Sequence, residues 1–194
     1  MTWSEIVLVA IAAVAVVLWL VWVSASRLDR LHRKVAASRI ALDSQLVRRS
    51  SAAVDLAASG MLDPASSVLV ADAAFAVLDD GTPVTSPDEA LAMVGLGAGR
   101  ESAESDLSAT LRSALGDPDV VTALRERPPG DELVAGLAAA WYRAQLARRF
   151  HNEAVAQAQR VRRHWYVRWL HLAGRAPTPH TVELDDQMPA GLGA

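Results

Sequence analysis

The sequence predicts an all-α protein: an N-terminal single transmembrane helix that continues into a long antiparallel helical bundle. Three observations carry this. Residues Ile6 to Val23 form an unbroken apolar run, IVLVAIAAVAVVLWLVWV. Behind it, apolar residues recur at helical spacing in blocks bounded by Pro, Gly and N-capping residues. No stretch alternates apolar and polar residues as a half-buried strand does. The expected parts are a transmembrane anchor over 1–25, a helical bundle domain over 26–175 and a flexible tail over 176–194.

The anchor comes first. A helix rising 1.5 Å per residue needs about 20 apolar residues to cross the hydrocarbon core. The run from Ile6 to Val23, flanked by Ser24, Ala25 and Ser26, is of that length and contains neither Pro nor Gly. Trp3 at one end and Trp19 and Trp22 at the other are placed where amphipathic rings favour the headgroup level. Arg27, Arg30, Arg33 and Lys34 follow the run against one Asp29, whereas only Glu5 precedes it. The positive-inside bias therefore places the N-terminus outside and the domain in the cytoplasm. A cleaved signal peptide is the competing reading, with Val23-Ser24-Ala25 as its cleavage site. A signal peptide has a basic leading region, absent here, and an apolar core of about 7–15 residues, exceeded here.

The remainder is long enough for one domain with a real core. There is no Cys, hence no disulfide framework and no thiol chemistry. Lys34 is the one lysine beside eighteen arginines, which reads as codon bias of a GC-rich bacterial genome. The net charge of −3 conceals segregation: +4 over 27–60, −10 over 61–140 and +7 over 141–176. Such blocks mark an interaction surface or, more commonly, solvated helix faces.

Residues 26–59 lack Gly and Pro. Leu28, Leu31, Val35, Leu42, Leu46, Ala53 and Leu56 form a core-facing stripe. Nothing breaks the chain between Val23 and Leu28, so the anchor is expected to run straight into this helix, and Gly60 to stop it. Asp63-Pro64 opens a helix carrying Val68, Leu69, Ala73, Phe75 and Val77. Asp79-Asp80-Gly81 reads as a turn. Ser86-Pro87-Asp88-Glu89 is a capping box opening a short helix that ends in Gly95, Gly97 and Gly99. Another helix is expected from about Arg100 to Leu115, and a short one from Asp117-Pro118 to Pro128-Pro129-Gly130. Asp131 is the expected cap of the last helix, which runs to about Leu172 and ends at Gly174. Its stripe is read as Ala139, Tyr142, Leu146, Phe150, Ala154, Ala158, Val161, Trp165 and Trp169. The Pro- and Gly-rich remainder reads as extended or disordered.

As helices, 26–59 and 132–172 span roughly 50 and 60 Å. If antiparallel, like outer partners of a four-helix bundle, they return the end of the last helix to the membrane. That end interleaves Arg160, Arg162, Arg163 and Arg168 with Trp165, Tyr166 and Trp169. Rings at the interface and arginines on anionic lipid headgroups suit this composition. The expected partners are thus the lipid bilayer, its anionic headgroups and an unidentified protein.

Three stretches resemble the LemA family of bacterial membrane-anchored helical-bundle proteins: RKVAASRIALDSQLVRRSSAAVDLAAS (33–59), AESDLSATLRSAL (103–115) and AQLARRFHNEAVAQAQ (144–159). The last is the sharpest, with Arg149, Phe150, Asn152, Glu153, Ala154 and Val155 matching the family pattern. His151 replaces the usual Tyr, Gln159 stands where a second Asn is often found, and the Leu-Ile-Pro-Asn that commonly follows Arg48-Arg49 is absent. The resemblance implies a coiled-coil-like bundle behind an anchor and no established enzymatic activity.

Little in the chain points to chemistry. With no HExxH and no Cys, a zinc site would need His and carboxylates alone. His164 and His171 share a helix face without a nearby acid and read as interfacial. Gly95-Leu-Gly-Ala-Gly matches no nucleotide fingerprint. Asp79-Asp80 and Asp185-Asp186 lie on apparent loops with nothing nearby to raise a pKa. Arg149 and Asn152 read as polar contacts within the bundle rather than as a site. The Arg/Trp/Tyr cluster could stack on bases, but its expected place at the membrane favours lipid, so nucleic acid is not expected. No catalytic residue, cofactor or metal is assigned. Two function classes remain: a non-catalytic scaffold or accessory subunit, and an enzyme or ligand carrier with a site in the bundle core. The second requires ionisable groups on core-facing positions, and the stripes above contain none.

Overall fold

The computed structural model describes residues 3–79, 86–92, 95–170, 174 and 177–193. Among these the chain is helical, with no strand. Its elements are α1 (Trp3–Ala58), α2 (Pro64–Asp79), α3 (Pro87–Ala92), α4 (Ala98–Leu115), α5 (Pro118–Arg125), α6 (Gly130–Arg162) and α7 (Trp165–Trp169). A 3-10 turn at Ala190–Leu192 closes the chain. The expected turn residues Asp80 and Gly81, and His171, Leu172 and Arg175, lie outside the described residues.

The apolar run and the first bundle helix are one element. The 56 residues of α1 extend about 84 Å at 1.5 Å per residue. Gly60, at φ 70°, takes the left-handed conformation that turns the chain out of it. Asp63 then caps α2, accepting from the Ala65 and Ser66 N–H groups at 3.1 and 3.0 Å. Ser86 does the same for Glu89 at the start of α3 (3.2 Å), and Asp117 for Asp119 at the start of α5 (2.9 Å). The last long helix starts two residues earlier than expected, at Gly130, with Pro129 and not Asp131 in the cap position.

α6 runs antiparallel to α1. Leu28 meets Val161, Val35 meets Ala154, Val155 and Ala158, Leu42 and Leu46 meet Ala144, and Ala53 and Leu56 join Val134, Leu137 and Trp141. The buried positions repeat in sevens: Leu28, Val35, Leu42, Arg49 and Leu56 on α1, and Leu137, Ala144, His151 and Ala158 on α6. A second set interleaves with each, Arg39, Leu46 and Ala53 on α1 and Val134, Trp141 and Val155 on α6. A 3.5-residue repeat keeps the seam facing its partner along a long helix pair. α2 packs on α1 and α4, α3 on α1, and α5 on α6. The largest apolar core lies at the end remote from the apolar run, around Leu56, Leu107, Leu111, Leu115 and Trp141.

Two expected stripes are corrected. On α6, Tyr142 and Phe150 (58% exposed) point outward and Ala139 is exposed, while Trp141 is fully buried. Steps of four from Tyr142 to Ala158 drift around the helix, so they reach the seam only from Ala154 onward. On α2 the buried residues are Val70, Ala74 and Val77, whereas Val68, Leu69 and Phe75 are exposed.

The last helix does not continue to the expected end. It stops at Arg162, and the extended backbone of His164 (ψ 134°) redirects the chain into α7. Val167 of α7 is buried against Leu28 and Val161.

Nor is the tail free. Residues 177–193 form an extended strap along α6, from its Gln159 end to its Trp141 end. Gln159 donates to Pro179 O at 2.8 Å. Asn152 brackets Val182, donating to its carbonyl at 3.0 Å and accepting its N–H at 2.9 Å. Trp141 Nε1 and Gln145 both donate to Asp186 O, at 2.9 and 2.7 Å, while Arg148 holds the Asp186 carboxylate at 2.7 and 2.9 Å. Val182 and Leu192 are buried. Gly191 is seated so closely that a Cβ there would lie 2.8 Å from Leu115 O and 2.6 Å from Val121 Cγ2. Composition suggested disorder because Pro and Gly disfavour helix. It could not reveal a polar stripe on α6 that satisfies an extended backbone.

Candidate membrane interface and a buried ionic cluster

Two places in the fold concentrate chemistry. The first is the end of the bundle where α7 lies beside α1. The 18-residue apolar window of α1 is buried against nothing in the molecule. It is long and apolar enough to cross a membrane. Ile6, Val23, Trp3, Trp19 and Trp22 are all exposed. Arg27 and Arg30 are exposed, Arg33 pairs with Asp29 one turn away at 2.7 Å, and Lys34 donates to Gln157 across the seam at 3.2 Å.

α7 lies along the last apolar turns of α1. Val17, Leu20, Val21 and Ser24 form one wall of a groove, and Trp165, Tyr166, Trp169 and Leu170 form the other. Trp165 and Trp169 are 75% and 73% exposed. Tyr166 stacks on His164 and meets Trp165 edge-on. Arg162 is fixed by contacts to His32 Nε2 (3.2 Å), Pro177 O (3.1 Å) and Thr178 Oγ1 (3.4 Å). Burial and then the Arg162 charge lower the His32 pKa, so His32 is neutral near pH 7. Arg163 and Arg168 are exposed, and Arg160 leans back on Ala156 O. The fold thus brings Trp165, Tyr166 and Trp169 beside the last apolar turns of α1, and Arg162 beside His32.

The family-like motif separates into distinct jobs. Val155 is core, Asn152 holds the strap, and Arg149 and Phe150 face outward. Gln159 also holds the strap.

The second place was missed by the sequence reading. Core-facing positions do carry ionisable groups: Arg39, Asp43, Arg49, Arg100, Glu104 and His151 are all buried. Arg49 Nη2 meets Glu104 Oε2 at 2.6 Å, with both side chains 0% exposed. Its other amino group donates to Ser108 Oγ at 3.0 Å, and the guanidinium lies 4.8 Å over the Trp141 ring. Arg100 lies 3.1 Å from Asp43 and 3.8 Å from Glu104. Among the described residues, Arg39 Nε and Nη1 have no hydrogen-bond partner. Burial raises the Glu104 pKa against the pull of Arg49 and Arg100. Burial, then Arg39, pushes the His151 pKa down to about 4. His151 Nδ1 lies 3.1 Å from Ser38 Oγ.

A signal for this cluster existed in the sequence. Extending the sevens through Leu28, Val35 and Leu42 lands on Arg49, and the interleaved set through Leu46 and Ala53 lands on Arg39. Closed off from solvent, Arg49 and Glu104 cannot reach a dissolved substrate. What such a pair can do is set the register of α1 against α4. No group of three or more His, Cys, Asp or Glu side chains is arranged to hold a metal ion among the described residues.

A search of protein-family models, curated proteins and solved structures finds no match to this chain.

Proposed function

We propose that this chain is a non-catalytic scaffold, anchored by residues 6–23 in the plasma membrane of a bacterium, with its helical bundle on the cytoplasmic face. Membership of the LemA family is part of this reading and rests on the three stretches quoted above. The observation that carries it is the continuity of α1: one 56-residue helix has an unpartnered apolar half and a bundle-forming half. A span joined to its domain without a break transmits the orientation of one to the other. The basic residues after Val23, and the arginines and rings of α7 at the same level, support a cytoplasmic interface. The buried Arg49–Glu104 and Arg100–Asp43 pairs do not argue for an enzyme, because they lie in a closed interior rather than in a cleft.

Exposed apolar side chains favour a second form of the same reading, an accessory subunit of a larger membrane complex. Val68, Leu69 and Phe75 on α2, and Tyr142 and Phe150 on α6, lie on the surface. Crosslinking in membranes followed by pull-down tests for a protein partner. Membrane fractionation with a reporter active only in the cytoplasm, fused to Ala194, tests the anchored scaffold. Activity of that reporter in the membrane fraction is expected. Silence with signal from an exported reporter overturns the orientation.

A further inference from the structure

We infer that the cleft beside α7 is a discrete site for one anionic phospholipid, with an acyl chain between α1 and α7 and the phosphate on Arg162, Arg163 and Arg168. The inference rests on the membrane reading and deepens it: general contact with a bilayer surface needs no cleft.

Two concavities share the wall made by α7. The first, of about 460 Å³, is lined by Val17, Leu20, Val21 and Ser24 of α1 and by Trp165, Tyr166, Trp169 and Leu170. That size is within the range of small-molecule sites. Its lining is predominantly apolar, with Ser24, the Tyr166 hydroxyl and the two indole N–H groups as its polar groups. Its α1 wall is formed by the last two turns of the apolar run, the part of α1 that suits an acyl chain.

The second, of about 440 Å³, is lined by Gln159, Arg162, Arg163, Arg168 and Thr178. Three arginines line it together with Gln159 and Thr178, and no lining residue is acidic. Arginine suits a phosphate because its planar fork can donate two parallel hydrogen bonds. Arg162 is already oriented by its contacts to Pro177 O and Thr178 Oγ1. Among the described residues no carboxylate pairs with Arg163 or Arg168, and both are exposed. Burial of Val167 against Leu28 and Val161 fixes α7, so the apolar and basic sites keep their spacing. An apolar slot on one side of α7 and a cluster of arginines around Arg168 match a ligand with an apolar tail and an anionic head.

The test uses the full chain, purified in uncharged detergent and titrated with phosphatidylglycerol or phosphatidylcholine, with binding read by native mass spectrometry. The wild-type chain should retain one phosphatidylglycerol in preference to phosphatidylcholine. Arg163→Gln with Arg168→Gln should weaken phosphatidylglycerol roughly 10- to 30-fold and abolish the preference, since each arginine at an anionic surface contributes on the order of a fivefold factor. Val21→Trp, which fills the slot, should weaken both lipids. Both variants should keep wild-type helix content and remain in the membrane fraction, because the apolar run is intact. Equal retention of the two lipids by the wild-type chain overturns the site, as does unchanged phosphatidylglycerol binding in either variant. A dimer that excludes lipid assigns the slot to a second copy and overturns it as well. If the wild-type chain is absent from the membrane fraction, the failure belongs instead to the membrane reading.

Discussion

Replacing Glu104 by alanine should be among the most damaging single changes outside the apolar core. The carboxylate meets Arg49 at 2.6 Å and lies 3.8 Å from Arg100, which itself reaches the buried Asp43 at 3.1 Å. Its loss removes the 2.6 Å contact to Arg49 and leaves Arg49 only Ser108 Oγ and the residue-104 carbonyl as acceptors. Removing one partner of a buried ion pair costs about 3–5 kcal/mol, because the other charge stays buried without compensation. For a chain of this size that is a fall in Tm of roughly 6–20 °C. Thermal unfolding of the full chain in detergent, followed by circular dichroism, measures it. The double variant Arg49→Leu/Glu104→Leu should cost less than the sum of its singles by about 1–3 kcal/mol, the coupling of residues in direct contact. A Glu104→Ala change within about 0.5 kcal/mol of wild type, the behaviour of a surface position, would refute the reasoning. So would strict additivity.

Three further outcomes follow from the same geometry. Asn152→Ala removes both hydrogen bonds to Val182 and should cost about 1–3 kcal/mol, with faster amide exchange at Val182 than in wild type. Leu46→Asp should unfold the bundle, because it buries an unpaired charge. Phe150→Asp should stay within about 0.5 kcal/mol, since Phe150 is 58% exposed; equal damage from both in chemical denaturation would contradict the seam described for α6. His151 is neutral in the folded chain down to about pH 4, whereas unfolded histidine protonates near 6.5. The unfolded state therefore binds more protons between these values. Stability present above pH 6.5 is lost as pH falls toward 4, by an amount on the order of 3 kcal/mol. Glu104, with its pKa raised by burial, acts in the opposite sense, favouring the fold toward lower pH. His151→Gln should flatten the denaturation midpoint between pH 7 and 5; an unchanged slope would show that another group sets it.

Local chemistry made much of the architecture legible. The apolar run, the uninterrupted 26–59 helix, the stop at Gly60 and the caps at Asp63, Ser86 and Asp117 depend on neighbouring residues, and each reads directly. Phase along a long helix is different. Whether Trp141 or Tyr142 faces inward depends on a partner helix, and a 20° drift per heptad decides it over several turns. Choosing the larger apolar residues placed Phe150 in the core and left His151 out. The same habit hid the ionic cluster, because arginines were read as the solvent face even where the repeat of seven ran through them. The strap was hidden for another reason. Its hold comes from Asn152, Gln145 and Gln159 on backbone groups of residues 179–186 and from Arg148 on the Asp186 carboxylate, and no local signal in a Pro-rich segment announces such a docking. The interface residues were legible as a composition, while the cleft that brings Trp165 beside Val17 and Val21 required the break after Arg162.

Because the chain contains no cysteine, single introduced thiols can report topology without background. Thr2→Cys and Arg143→Cys, each in the full chain expressed in bacterial cells, would be treated with a membrane-impermeant maleimide before and after permeabilisation. The account predicts that position 2 is labelled in intact cells, that position 143 is labelled only after permeabilisation, and that both proteins sediment with membranes. Labelling of position 143 in intact cells, or recovery of the chain in the soluble fraction, would contradict it.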